Sequence, residues 1–252
     1  NPAPANSDGS VELIGAKPFG TLYRRWQQWR DAATPARIAV LGGGPAAVEL
    51  VLALQRALPS CQLTLICAGP LLGAQPHRAA RITRTLLTKR GIPLYEQHEI
   101  NRIQDGSLLT GDGRAVRTDA VVLATGTAAA PWQEASALAT DGAGFIRITD
   151  TLQSQSHPHI LASGDCATLA GCPHSGVYAV RQGAVLGYNL RALLTGSPAL
   201  HHFQPQPRAL ALLATADAQA LACYGPLALR SRAARRLKDH LDSGFMRSLQ
   251  VS

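Results

Sequence analysis

Aromatic residues and long apolar runs are both scarce in this 252-residue sequence. Aromatic side chains make up only 5% of it, and no stretch of about 18 consecutive apolar residues occurs. The second absence argues against a membrane-spanning helix, and no basic start followed by an apolar segment indicates a signal peptide. Hydrophobic residues still reach 46%, with alanine and leucine dominant, which is enough to bury a core and favours a helix-rich α/β protein.

Cysteine pairs of the CxxC type are also missing. The five cysteines are an odd number, and no pair has the spacing of zinc ligands or of a redox disulfide, so we expect no metal site. Cys61 and Cys67 flank a predicted buried strand and are interpreted as small core residues. Five residues lie between Cys166 and Cys172; a sulfide-oxidising pair and two incidental cysteines are both open. The pattern favours a reducing compartment, and we expect a cytoplasmic protein, with peripheral contact to the inner face of the membrane as an alternative.

The chain begins at Asn1 without an initiator methionine, which we interpret as the loss of a preceding segment. Residues 1–16 are rich in small and turn-forming residues and are predicted to be a linker. Apolar residues at helical spacing then predict a helix over residues 21–33, ended by Pro35.

A glycine-rich turn follows the apolar run Arg37–Leu41. Its pattern, Gly42-x-Gly44-x-x-Ala47, lies between a predicted strand and a predicted helix over Val48–Leu58. Gly42 would permit the tight turn, Gly44 would let the backbone approach a pyrophosphate, and Ala47 would let the helix pack closely on the sheet. The free amides and positive dipole end of the helix then face the anion, so this segment predicts a dinucleotide site.

One part of that site is missing from its usual place. An Asp or Glu that binds the ribose is expected about 20 residues further on, at the end of the second strand, where this sequence has Cys67-Ala68-Gly69. Arg78 or Arg81 on the following helix could meet a 2′-phosphate instead, or both could be exposed helix residues. NADH and NADPH therefore both remain open.

Two further strand ends carry candidate cofactor contacts. The apolar strand Ala120–Ala124 stops at Thr125-Gly126, which fits a crossing point between two nucleotide-binding domains. A second strand, Ile160–Ala162, ends in Ser163-Gly164-Asp165, and a long helix over Gly176–Leu194 follows. A carboxylate at a strand end can accept hydrogen bonds from ribityl hydroxyls, and a helix N-terminus can offset the charge of a reduced flavin. Asp165 could equally be a turn or cap residue.

The last fifth of the chain is basic. Residues 201–252 hold seven Lys and Arg against three Asp, which is half of the net charge of +8. A stripe of Leu237, Leu241, Phe245 and Leu249 on a basic helix could contact anionic lipid, pack on the hairpin predicted around Asp217, or pack on a second subunit; the narrow stripe favours packing. We expect no nucleic-acid partner.

Several of these segments together resemble the pyridine nucleotide-disulfide oxidoreductase superfamily, and within it the type II NADH dehydrogenase-like flavoproteins, including those fused to selenide, water dikinase. The matching segments are Lys17-Pro18-Phe19, IAVLGGGPAAVEL at 38–50, VVLATG at 121–126, HILASGDCATL at 159–169, GVYAVRQGAVLGYNLRALLTG at 176–196 and RRLKDHLDSGFMRSL at 235–249.

The resemblance implies an α/β fold with FAD and NAD(P)H as cofactors. It implies a Rossmann-like nicotinamide-binding domain at 17–128, the C-terminal part of a split FAD-binding domain at 129–200 and a small α+β interface region at 201–252. The implied cofactor-binding residues are Gly42, Gly44, Pro45, Ala47, Thr125, Gly126, Gly164, Asp165, Gly176, Val177, Tyr178 and Gln182. The glycine-rich turn that would bind the adenine half of FAD is absent.

The expected reaction passes hydride from the nicotinamide to the flavin and then electrons to a quinone or another acceptor. Because the flavin carries this chemistry, no catalytic side chain is expected. A non-catalytic nucleotide-binding or interaction module is the alternative. Expected partners are a small-molecule acceptor, a second copy of the chain and a selenophosphate-synthesising domain.

Overall fold

The computed structural model describes residues 4, 6–32, 36–197 and 199–248. The chain divides into two compact units, one formed by residues 1–126 and 210–252 and the other by residues 127–209. The first is called unit 1 and the second unit 2. The α/β fold class expected from the sequence is confirmed.

Unit 1 is built around a five-stranded parallel sheet. Its spatial order is β2-β9-β3-β4-β5. These strands are β2 Glu12–Gly15, β3 Arg37–Leu41, β4 Gln62–Ile66, β5 Leu94–Tyr95 and β9 Ala120–Leu123.

Alternate residues of the central strands enter two different cores. Ile38 and Val40 of β3 join the larger core with the helices, whereas Ala39 and Leu41 point to the other face. That second face is covered by a four-stranded sheet through Ile103 and Leu108 among others. Strands covered on both faces are continuous apolar runs, which is why the sequence makes β3 and β9 recognisable.

The helices of unit 1 are α1 Phe19–Ala32, α2 Pro45–Ala57, α3 His77–Lys89 and α6 Arg232–Ser248. The covering sheet has the order β1-β6-β7-β8, with β1 Asn6–Ser7, β6 Ile100–Gln104, β7 Ser107–Thr110 and β8 Ala115–Arg117. A hairpin turn at Asp105-Gly106 joins β6 to β7, since Gln104 pairs with Ser107.

Two strands contradict the prediction that residues 1–16 are a linker. β1 pairs with β6, and β2 pairs in parallel with β9, so that Leu13 lies opposite Val121. The strands are too short for a periodic signal, and long-range pairing forms them. The expected helix end at Pro35 lies outside the described residues.

The C-terminal segment belongs to unit 1, and the predicted boundary at residue 201 does not separate it. Its sheet is β12 Ala211–Ala214, β13 Ala220–Tyr224 and β14 Leu227–Ser231. Leu213 and Leu221 enter the same core as β3 and α2. On α6, however, Leu237, Leu241 and Phe245 remain 40–49% exposed, so the expected burial of this stripe on the hairpin is only partial. Leu249 lies outside the described residues.

Unit 2 has little regular sheet. It contains α4 Pro131–Ala135, α5 Gly176–Leu194 and a pair of two-residue strands, β10 Ile146–Arg147 and β11 Ala167–Thr168. The bounds of α5 are those predicted. The expected strand Ile160–Ala162 is reduced to a single bridge between Leu161 and Gln153. None of the helices in the described part of the chain is long and apolar enough to cross a membrane.

Candidate functional site: a glycine turn at the end of the parallel sheet

Gly42 is held in a conformation and a space that only glycine can occupy. Its φ is +140°, and a Cβ placed there would lie 2.3 Å from the carbonyl oxygen of Ala124. Its amide donates a hydrogen bond of 2.8 Å to the Ile66 carbonyl. The turn is therefore clamped between the ends of β4 and β9, at the carboxyl edge of the sheet where open α/β sheets bind ligands.

Gly44 and Ala47 have opposite surroundings. An added Cβ at Gly44 would meet no atom within 4 Å, whereas Ala47 is fully buried and lies against Gly42. Gly44 is also the N-cap of α2, without a side-chain cap, and Pro45 occupies the first turn. The start of α2 is thus packed tightly on the sheet by Ala47 and open at Gly44, and helix starts leave amides without partners in the helix.

A cavity of about 610 Å³ lies in front of this turn. Its size falls in the range of small-molecule and cofactor sites. Besides Gly42 and Gly43, its lining includes Ala68, Gly69 and Thr125. Gly44, Pro45, Ala47 and Gly126 are not among the lining residues of this cavity. The structure therefore brings Gly42 and Thr125 together in one cavity, and Gly44 follows the lining residue Gly43 at the start of α2.

Cys67 occupies the position where a ribose-binding carboxylate was sought. Burial, and secondly the nearby Glu96 carboxylate, raise the pKa of its thiol to about 12, so the thiol is neutral at physiological pH. It lies 3.4 Å from the carbonyl oxygen of Gly42, to which it donates. This residue supports the turn and supplies no negative charge.

Glu96 is the carboxylate whose charge acts on Cys67, and both of its oxygens already accept hydrogen bonds. Arg84 donates two hydrogen bonds to it, of 2.6 and 2.8 Å, and the Leu71 amide donates a third of 2.7 Å. The Arg84 bonds in particular hold the pKa of Glu96 below its usual value. Glu96 therefore fixes the loop after β4 to the end of β5.

In unit 2, Gly164 and Gln182 form one connected arrangement. Gly164 has φ +69° at the start of a single 3₁₀ turn, and its amide donates a 2.7 Å hydrogen bond to the Oε1 of Gln182. The amide of Gln182 in turn donates to the Cys172 Sγ at 3.7 Å. Gln182 is buried, so its side chain ties α5 to the 3₁₀ turn.

Tyr178 is also used within unit 2. It is buried, and its hydroxyl donates a 2.8 Å hydrogen bond to the Gln206 carbonyl. Asp165 and the first α5 residues, Gly176 and Val177, lie at the surface. The cavity beside Gly164 measures about 10 Å³, room for about one water molecule and far too little for a flavin ring. Among the described residues of unit 2, the Gly164 turn and the start of α5 thus offer surface contacts, and the small cavity between them does not hold a flavin.

Sequence reasoning missed the segment between β5 and β6. His98 and Glu99 of this segment line the large cavity, as does Asn101 of β6. A usable signal existed, because parallel strands end at the same edge of the sheet and the residues after β5 must approach those after β4. No group of three or more His, Cys, Asp or Glu side chains arranged to hold a metal occurs among the residues described.

The sequence comparison decides the family. Residues 7–183, which span both the glycine turn and the Gly164 turn, match the family described as pyridine nucleotide-disulphide oxidoreductase. The chain belongs to this family. The branch fused to selenide, water dikinase finds no support among the relatives named below.

Among individual relatives, a type II NADH:quinone oxidoreductase from Haemophilus influenzae is 32% identical over 147 residues, covering 52% of this chain and 33% of that protein. Ferroptosis suppressor protein 1 from Xenopus tropicalis is 30% identical over 176 residues, covering 63% of this chain and 46% of its own length. The chain therefore spans about a third to a half of the length of these curated relatives.

Solved structures of oxidoreductases share the fold. The sulfide:quinone oxidoreductase from Aquifex aeolicus matches 96% of this chain and 65% of its own, with a TM-score of 0.72 at 14% identity. The water-forming NADH oxidase from Lactobacillus brevis, solved bound to NADH, matches 89% of this chain and 49% of its own, with a TM-score of 0.71 at 20% identity. At these identities the likeness shows the fold alone.

Proposed function

We propose that this chain binds a nicotinamide dinucleotide at the Gly42–Gly44 turn and is part of an FAD-dependent NAD(P)H oxidoreductase. The observation that carries the proposal is the combination of Gly42, packed so closely that a Cβ is excluded, with open space at Gly44 beside a 610 Å³ cavity. Family membership supports the same reading.

The residues of unit 1 fit the dinucleotide for simple physical reasons. The first amides of α2 present N–H donors to a pyrophosphate, and the dipole of α2 favours negative charge at that end. No acidic residue occurs in the first turn of α2 to oppose it. Thr125, at the end of β9, lines the same cavity and is the candidate for contact with the nicotinamide half.

For the electron acceptor we propose a quinone, because one relative is a type II NADH:quinone oxidoreductase. When bound, a flavin would supply the acceptor for hydride from the nicotinamide and the donor of electrons to that quinone. A second copy of the chain, a membrane surface and a selenophosphate-synthesising domain remain predicted partners.

A substitution at Gly44 separates binding from folding. Gly44→Asp places a cap side chain at the start of α2, where Asp is favoured over Gly by only a few tenths of a kcal/mol, so the free energy of unfolding should hold or rise by about that amount. The same carboxylate would repel a pyrophosphate, so the affinity for NADH should fall at least about tenfold. Calorimetric titration of NADH and a urea unfolding curve measure the two effects.

Gly44→Asn is the matched control, because it adds a cap of nearly the same size without charge. We expect it to bind NADH more tightly than Gly44→Asp does. Wild-type affinity in both variants would show that no pyrophosphate lies at Gly44. No binding to the wild-type chain would favour the interaction-module alternative.

A further inference from the structure

Glu99 is the one carboxylate among the described residues that line the cavity in front of the glycine turn. It lies in the segment that connects β5 to β6, which runs beside the turn after β4. Its backbone carbonyl accepts from the Gly111 amide, but no described residue forms a hydrogen bond or ion pair with its carboxylate. Glu99 is an exposed residue and also lines the cavity, so a ligand bound there can reach its side chain.

The other side chains that could bind a ribose at this place are either uncharged or already hydrogen-bonded within the protein. Cys67 is a buried neutral thiol, and both oxygens of Glu96 accept hydrogen bonds within the protein. A carboxylate that binds a ribose must have free lone pairs for the two vicinal hydroxyls. Only Glu99 meets this condition within the described lining of the cavity.

The charges of the residues that line the cavity favour a ligand without a 2′-phosphate. No lysine or arginine occurs among the described residues that line the cavity, and Arg78 and Arg81 of α3 are not part of it. A 2′-phosphate carries a charge of about −1.5 to −2 at neutral pH and needs cationic partners. Beside Glu99 it would instead meet a like charge, which disfavours binding.

We propose that Glu99 binds the adenosine ribose hydroxyls of NADH, in place of the carboxylate missing after β4, and that it makes the site select NADH over NADPH. This inference rests on the proposed function, since it assumes that a nicotinamide dinucleotide enters the cavity. The ribose contact would then lie in the connection between β5 and β6, and not at the end of β4, where such a carboxylate is usual.

The test is a titration of NADH and NADPH into the 252-residue chain and its Glu99→Gln variant. The substitution keeps the shape and removes the charge, so the Kd for NADH should rise about tenfold while the Kd for NADPH stays the same or falls. A Glu99→Arg variant should reverse the preference, because a guanidinium at this place pairs with the 2′-phosphate. Because Glu99 is exposed, the thermal unfolding midpoints should match that of the wild type.

Glu134→Gln is the matched control, since Glu134 is an exposed glutamate of unit 2 that does not line this cavity. It should leave both affinities unchanged. Unchanged NADH affinity in Glu99→Gln would overturn the inference while leaving the proposed function intact. An equal loss for both nucleotides would overturn the ribose assignment, because a contact to the base is common to both. A wild-type chain that binds neither nucleotide would overturn the proposed function itself.

Discussion

At the scale of single residues, Gly42 shows that the conformation of the turn requires a residue without a side chain. The ideal Cβ position lies 2.3 Å from a backbone oxygen, and backbone cannot move aside as a flexible side chain can. The positive φ adds a conformational cost for any other residue. The turn therefore depends on glycine for its shape before any ligand is considered.

Replacing Gly42 by alanine should cost about 2–4 kcal/mol in the free energy of unfolding, because strain and a backbone clash add up. Urea unfolding followed by circular dichroism measures it. Gly244→Ala is the control within unit 1, since a Cβ there meets no atom within 4 Å and lies in a helix. That variant should gain up to about 1 kcal/mol. A neutral effect at Gly42 would show that the turn is not clamped.

Asp119 is the residue at which stability should depend on acid pH. Its oxygens accept a 2.8 Å hydrogen bond from the Arg37 amide and a salt bridge from the Arg37 guanidinium. The Arg37 guanidinium above all holds the pKa of Asp119 below its usual value. A depressed carboxyl pKa contributes stability above the unfolded pKa near 4, and this contribution is lost as pH falls through the folded value.

We expect Asp119→Asn to lose about 1 kcal/mol at pH 7, a figure kept small because a third of each side chain is exposed to solvent. The difference from the wild type should shrink as pH falls from about 4 toward 2. Unfolding curves over this range measure it. Asp31→Asn, in an exposed pair with Arg30, should change little at any pH. A difference at Asp119 that does not change with pH would contradict the assigned ion pair.

At the scale of elements, the sequence predicts those with a strong local signal. Continuous apolar runs mark β3 and β9, and α5 begins at Gly176 and ends at Leu194 as predicted. The strand β2 was not predicted from the sequence, because its four residues at the edge of the sheet form a strand only through pairing with β9. Part of the cavity lining was not predicted for the same reason. Glu99 belongs to no sequence motif, and it lies at the cavity because β5 is the neighbour of β4 in the sheet.

The C-terminal elements offer a direct comparison of a buried and an exposed leucine. Leu221 of β13 is 1% exposed in the core of unit 1, whereas Leu241 of α6 is 49% exposed. Leu221→Ala should cost about 2–5 kcal/mol, and Leu241→Ala less than about 1 kcal/mol. The two variants carry the same chemical change, so urea unfolding of both isolates the effect of burial. Equal losses would mean that the α6 stripe is packed as firmly as the hairpin.

At the scale of the whole molecule, the chain combines one complete parallel-sheet unit with a second unit that has little sheet. Residues 210–252 belong to unit 1, and its hydrophobic core includes Leu213 and Leu221 from this segment. No local pattern reveals this, and the boundary predicted at residue 201 was wrong for that reason. The family, by contrast, is shown by the match over residues 7–183, and the resemblance carried by short segments of the sequence agrees with it.

The central claim is that the Gly42–Gly44 turn of unit 1 holds a nicotinamide dinucleotide. Amide chemical shifts of the isotope-labelled chain, recorded during a titration with NADH, test it at the residues concerned. The account predicts the largest shifts at Gly42, Gly43, Gly44 and Thr125, with α6 unaffected. Saturating NADH that leaves these amides unchanged, or that shifts only residues away from the turn, would contradict it.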